Sequence, residues 1–174
     1  MEREWALGYL ARLGEGEAAD MRILGRELFR PGRSVSTSRV IAARASEIFD
    51  ILADPAMHPV IDGSGTVKAT RGRHVERLEL DTTFGMDMRR GVAYPILNTV
   101  VEFENDRLIA WRHAHGHRWR YELEEVADGT RVTETFDYST ARTRLTLEVG
   151  GVPEQNLVGM AATLERIEQV LTNG

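Results

Sequence analysis

No cysteine occurs in the 174 residues, which excludes a disulfide frame, a thiolate nucleophile and any cysteine-ligated zinc or iron–sulfur site. No apolar run approaches the roughly 20 residues that span a bilayer, so integral membrane insertion is not expected. The opening, "MEREWALGYLARLGEGE", lacks the basic, long apolar, small-residue order of a secretory signal, and a cytoplasmic location is the default. An excess of cations is missing too. Lys plus Arg number 22 against 27 Asp plus Glu, a net charge of −5 that offers phosphate backbones no general attraction. The local basic stretch Lys68, Arg71, Arg73, His74 and Arg77 has no interleaved aromatics and reads as a solvated turn, so no nucleic-acid partner is expected. Several chemical signatures are absent as well: "GSGTVK" is too short for a phosphate-binding loop, and neither G-x-S-x-G nor G-x-G-x-x-G occurs in the required context.

What is present is a chain 42% apolar and 28% charged, the composition of one ordinary domain with a substantial core. Residues 1–33 form an extension. Trp5, Ala6, Tyr9, Leu10 and Leu13 fall at helical spacing there, and a second turn with Ile23, Leu24 and Leu28 ends at "RPGRS". The extension is either a packed arm or a lid or homodimer contact. From Ser34 to Gly174 the order is clearer. "SVSTSRVIAA" suits a strand, and "RASEIFDILAD" suits a helix with Ile48, Phe49, Leu52 and Ala53 on one face and Ser46 as cap. Turn signals at "RGRH", "MRRG", "ENDR", "HGHR" and "ADGT" then punctuate about six strands. Between them Leu78, Leu80, Thr82, Phe84, Met86 and Met88 alternate with polar neighbours, and Trp119, Tyr121 and Leu123 alternate with Arg118, Arg120, Glu122 and Glu124. Pro153 opens a long helix with Leu157, Met160, Ala161, Leu164, Ile167 and Leu171 on its apolar stripe. The plan is α+β.

That order, together with "DPAMHPVIDGSGTV", "FGMDM", "VVEFENDRLIAWRH" and "WRYELEEVADGTRVTETFDYS", resembles the SRPBCC superfamily, also called START-like or Bet v 1-like. Within it, the likeness is to the polyketide cyclase/dehydrase and lipid-transport group. It covers about residues 34–173. The resemblance implies a helix-grip fold, a curved seven-stranded antiparallel sheet wrapped around the C-terminal helix with a cavity between them. Many relatives carry a Trp before the Asp of "DGSG"; Ile61 stands there in this chain. Members bind lipids, hormones and polyketides, and some catalyse cyclisation or dehydration, so the fold alone does not choose a function.

Candidate site residues follow from side-chain direction. Alternation from Val132 and Phe136 turns Glu134 and Tyr138 inward. Burial would raise the Glu134 pKa into a useful acid/base range, whereas an arginine neighbour would pin it as a structural carboxylate. Tyr121 and Tyr138 either orient a ligand carbonyl or satisfy backbone groups. His58 lies where the resemblance places the cavity mouth, as a gate or a surface residue. In "HAHGH", His113 shares a face with Trp111 and is a candidate proton donor. The turn should break the alternation for His115 and His117, and the motif reads as hairpin chemistry and not as a metal site. The expected cavity is lined by Phe84, Met86, Leu97, Trp111, Trp119, Phe136 and Met160, with His58 and Tyr138 as further ligand contacts. It calls for no cofactor. Two readings follow: a binder of a small hydrophobic, lipid- or polyketide-like molecule, and a cyclase or dehydratase in which Glu134 with His113 or Tyr121 moves protons.

Overall fold

The computed structural model describes residues 33–173. The extension and the homodimer contact expected of it lie, but for Arg33, outside the described residues. Strand β1 (Ser34–Ile41) leads into helix α1 (Ala45–Ala53) and the short helix α2 (His58–Ile61). Strands β2 (Val67–Arg71), β3 (Thr83–Arg90), β4 (Val92–Glu104), β5 (Leu108–His113), β6 (Arg118–Val126) and β7 (Gly129–Asp137) follow, then α3 (Arg144–Val149) and α4 (Val152–Asn173). All seven strands form one antiparallel sheet in the order β1-β7-β6-β5-β4-β3-β2, an α+β helix-grip arrangement.

Period-two patterning decides which face is covered. On β6, Trp119, Tyr121 and Leu123 turn to the helix side, while Arg118 and Arg120 on the other face pair with Glu102 of β4 at 3.5 and 3.0 Å. Helix α4 supplies the cover, because Leu157, Met160, Leu164 and Ile167 recur at helical spacing and are buried. Its C-terminal half joins a core with α1, β5 and β6. Its N-terminal half packs Leu157 and Met160 on Phe136 and Tyr138. Trp119 touches both clusters.

Two local expectations need correction. The run from Leu78 to Met88 is not one strand. Asp81 takes a left-handed φ of 65°, the chain turns there, and β3 begins only at Thr83, so Leu80 is 55% exposed instead of buried. Ser46 does not cap α1 either; Arg44 precedes the helix and the Glu47 carboxylate accepts its backbone N–H at 3.0 Å.

The loop after α2 is locked to α4. Asp62 Oδ1 accepts from Ser64 N–H and Oγ–H at 3.0 and 2.6 Å, and its Oδ2 accepts from Val67 N–H at 2.7 Å. Gly63 N–H donates to Thr163 Oγ1 at 2.9 Å, and that hydroxyl donates to Gly159 O at 3.0 Å. Arg166 also donates to the Asp62 carbonyl. The approach leaves no room for a side chain: a Cβ on Gly63 would lie 2.3 Å from Gly159 O and from Thr163 N. Gly63→Ala should therefore cost about 2–3 kcal/mol by forcing loop and helix apart. Thermal unfolding checks this, and an unchanged midpoint would show that the seam has slack.

Candidate functional site

A connected row of rings and one carboxyl crosses the inner face of the sheet. His58, at the start of α2, is buried and stacks on Trp111 of β5, with centroids 4.9 Å apart and planes at 23°. Phe84 of β3 meets both edge-on, 5.5 Å from His58 and 5.8 Å from Trp111. Trp111 continues to Tyr121 on β6 at 5.4 Å. Strand register sets Tyr121 opposite Glu134 on β7, and the phenol O–H donates to Glu134 Oε1 at 2.8 Å.

The second carboxyl oxygen stands alone among the described residues: Glu134 is 2% exposed, and none of them gives its Oε2 a hydrogen bond. Burial in this apolar setting pushes its pKa up to about 8; the Tyr121 hydrogen bond pulls it down, and the negative field of Asp62 pushes it further up. Among the described residues no arginine pairs with it. The acid is thus neutral at pH 7, with Oε1 accepting from Tyr121 and the proton available on Oε2. Tyr121 is in turn pushed well above its ordinary range, first by burial and then by Glu134. His58 is neutral as well: burial lowers its pKa. Its Nε2–H donates to Leu52 O at 2.9 Å, which fixes the tautomer and leaves Nδ1 as an acceptor. Of the two expectations for His58, a gate or a surface residue, its burial excludes the surface one.

The other expected residues divide. Met86 is buried in the same core. Trp119, Phe136, Tyr138 and Met160 form the neighbouring cluster, with Phe136 4.8 Å from Trp119 and 5.5 Å from Tyr138. Leu97 belongs to neither and is a correction. It pairs with Gly85 on the outer face, 57% exposed, because inward positions on this part of β4 are the even ones. Asn98 occupies the inward place between Phe84 and His113 in the register, 3% exposed. Period-two counting back from Val100 would have found it.

In "HAHGH" strand β5 ends at His113 and the turn breaks the alternation for His115 and His117, and the three rings nevertheless come together. His113 is half-buried between His115 and His117, at centroid distances of 4.8 and 4.7 Å with planes at 15° and 7°. The hairpin permits this because Gly116 adopts φ 98° and packs on Thr140, whose hydroxyl donates to Gly116 O at 2.7 Å. The Nδ1 atoms of His113 and His115 approach to 3.1 Å, and the His115 backbone N–H donates to His113 Nδ1 at 3.1 Å. Among the described residues no group of three His, Asp or Glu is placed to hold a metal ion. Of the three candidate proton carriers, Tyr121 and Glu134 are joined by a hydrogen bond, while the ring contacts of His113 are with His115 and His117.

Residues 32–172 match the family described as polyketide cyclase/dehydrase and lipid transport. The chain belongs to that family. The polyketide cyclase/dehydrase and lipid-transport assignment places it in the SRPBCC superfamily. An uncharacterized protein of Mycobacterium tuberculosis is 39% identical over 150 residues, covering 83% of this chain and 66% of that protein, so this chain matches slightly under two thirds of its relative. A protein of Arthrobacter aurescens shares the fold at a TM-score of 0.64 and 16% identity, over 82% of this chain and 88% of that one. A polyketide-cyclase-like protein of Corynebacterium glutamicum does so at 0.52 and 19%, over 80% and 91%. Among the described residues no helix is long and apolar enough to cross a membrane.

The buried acid and the histidines bend stability in opposite directions. Glu134 titrates at about 8 when folded against an ordinary 4.5, so the folded chain keeps a proton that the unfolded chain releases. Its contribution therefore falls as pH rises through that window, by about 1.4 kcal/mol per pH unit. His117, held to about 4 against 6.5 by burial and by its two neighbours, acts in reverse and loses stability as pH drops through its own window. His58 and His113, both lowered, act in the same sense. The histidines still contribute at their unfolded value of 6.5, so of these groups only Glu134 slopes appreciably between about pH 7.5 and 8.5. Urea midpoints should fall across that interval and stay level in Glu134→Gln; parallel slopes would mean that Glu134 is already ionised in the folded chain.

Proposed function

We propose that the chain binds a small hydrophobic molecule, lipid- or polyketide-like, between the inner face of the sheet and α4. The observation that carries this reading is Glu134 Oε2, a buried polar atom without a partner beside an aromatic wall of Phe84, Trp111 and Tyr121. An unsatisfied buried donor costs about 1–3 kcal/mol, which a ligand oxygen would recover while its apolar body covered the rings. The family description, which joins lipid transport to polyketide chemistry, supports the same class of ligand.

A second reading has its own support. An acid held at about 8 and hydrogen-bonded to a phenol is suited to give or take a proton near neutral pH, as a cyclase or dehydratase requires.

Native mass spectrometry of freshly purified protein, followed by denaturation and identification of what is released, tests the binding reading. An organic mass lost on unfolding is the expected result. Turnover of that molecule would then distinguish the readings: Glu134→Gln should leave a binder's affinity nearly intact, whereas in an enzyme it should reduce rate about 100-fold or more with little change in affinity. A protein that is ligand-free and binds no member of a lipid and polyketide panel would overturn both.

A further inference from the structure

Resting on that reading, a closer constraint comes from which charges the interior contains. Among the described residues, the buried polar or charged side chains are Thr37, His58, Asn98, Thr130, Glu134 and Thr163, with no lysine or arginine among them. The guanidinium groups lie elsewhere: Arg39 reaches Glu168, Arg77 reaches Asp50, and Arg118 and Arg120 reach Glu102. Among the described residues, a carboxylate or phosphate drawn into the interior would meet no fully buried cation to replace its lost water, and an unpaired buried anion is costly.

We propose that Glu134 is a specificity-determining residue that donates a hydrogen bond from Oε2 to the carbonyl oxygen of an uncharged apolar ligand, so that the site takes a ketone or ester and rejects the corresponding carboxylate. The donor geometry follows from the pair. Tyr121 occupies Oε1 as its hydrogen-bond donor, which leaves the acid proton on Oε2, the oxygen without a partner. The groups that act on Glu134 across the packed elements are few. Tyr121 comes from β6, Thr37 lies opposite it on β1, and Asp62 in the loop after α2 adds a negative field. Its negative field adds to the exclusion of anions. Asp62 disfavours an anion there, and the Tyr121 O–H, the one donor bonded to the carboxyl among the described residues, is already engaged by Oε1. Raising the pH past the point where Glu134 ionises removes the donor and turns the site against the carbonyl oxygen as well.

Trp111 and Trp119 make the site readable by fluorescence. The probes are matched in size: 2-acetylnaphthalene against 2-naphthoate, and 2-dodecanone against dodecanoate, titrated below their aggregation limits at pH 7 and pH 9. The ketones should bind at least 10-fold tighter than the carboxylates at pH 7 and weaken several-fold at pH 9. Glu134→Gln retains an N–H donor, so it should keep the ketone preference and lose its pH dependence. Glu134→Leu should bring ketone binding down about 10-fold while leaving naphthalene binding unchanged, a comparison that separates loss of the donor from loss of the fold. Carboxylates binding as tightly as ketones, or a pH dependence that survives in Glu134→Gln, would overturn the specificity while leaving hydrophobic binding intact. Failure of naphthalene and every other probe to bind the wild-type protein would overturn the binding reading itself.

Discussion

A sheet whose strands pair in a single antiparallel series has one apolar face that water must not reach, and here α4 is what excludes it. The helix does so only because the loop after α2 can approach its backbone. Gly63 and Gly159 remove the side chains that would separate them, and the Thr163 hydroxyl bridges the two with one hydrogen bond accepted and one donated. This seam holds α2 over the sheet. His58 can then reach Trp111 and Phe84, and Asp62 comes near enough for its charge to act on Glu134 and Tyr121. Position and electrostatics of the site are consequences of one close backbone contact.

Within that enclosure two buried ionisable groups, His58 and Glu134, are both neutral at pH 7, by the same cause. Desolvation opposes the charged form of either type, so it lowers the imidazole of His58 and raises the carboxyl of Glu134. Their hydrogen bonds then differ in completeness. His58 donates to a backbone carbonyl and is fixed by it, while Glu134 has one oxygen engaged and one vacant of partners. A buried network left half satisfied is a weakness in a purely structural core and an opportunity at a binding site.

Strand alternation and helix periodicity made most of this legible in advance. Glu134 and Tyr138 were placed inward by counting twos from Phe136, and the α4 stripe by counting threes and fours from Leu157; both counts hold because those elements are regular. Failures cluster where regularity stops. Asp81 in a left-handed conformation breaks the run containing Leu80, and Leu97 faces outward on β4 because the register sets Asn98, not Leu97, opposite Phe84. The histidine stack depends on how a turn folds back at Gly116, which no period encodes. The Tyr121–Glu134 hydrogen bond needed a cross-strand register that only pairing supplies.

The choice of a carboxyl at position 134 bears on what the interior does. A glutamine in the same place would donate to a ligand carbonyl at every pH and would carry none of the stability loss that an acid held at about 8 imposes between its unfolded and folded values. A carboxyl differs from the amide in one chemical respect: it can surrender its proton. Hydrophobic binding with carbonyl recognition does not require that ability, but proton transfer to a bound carbonyl and ligand release on ionisation both do. The phenol of Tyr121 fits either use, since its hydrogen bond to Oε1 stabilises the carboxylate left behind when the Oε2 proton departs. The half-satisfied acid is thus the point at which the binding and enzymatic readings meet, and the fate of its proton in the presence of ligand is what divides them.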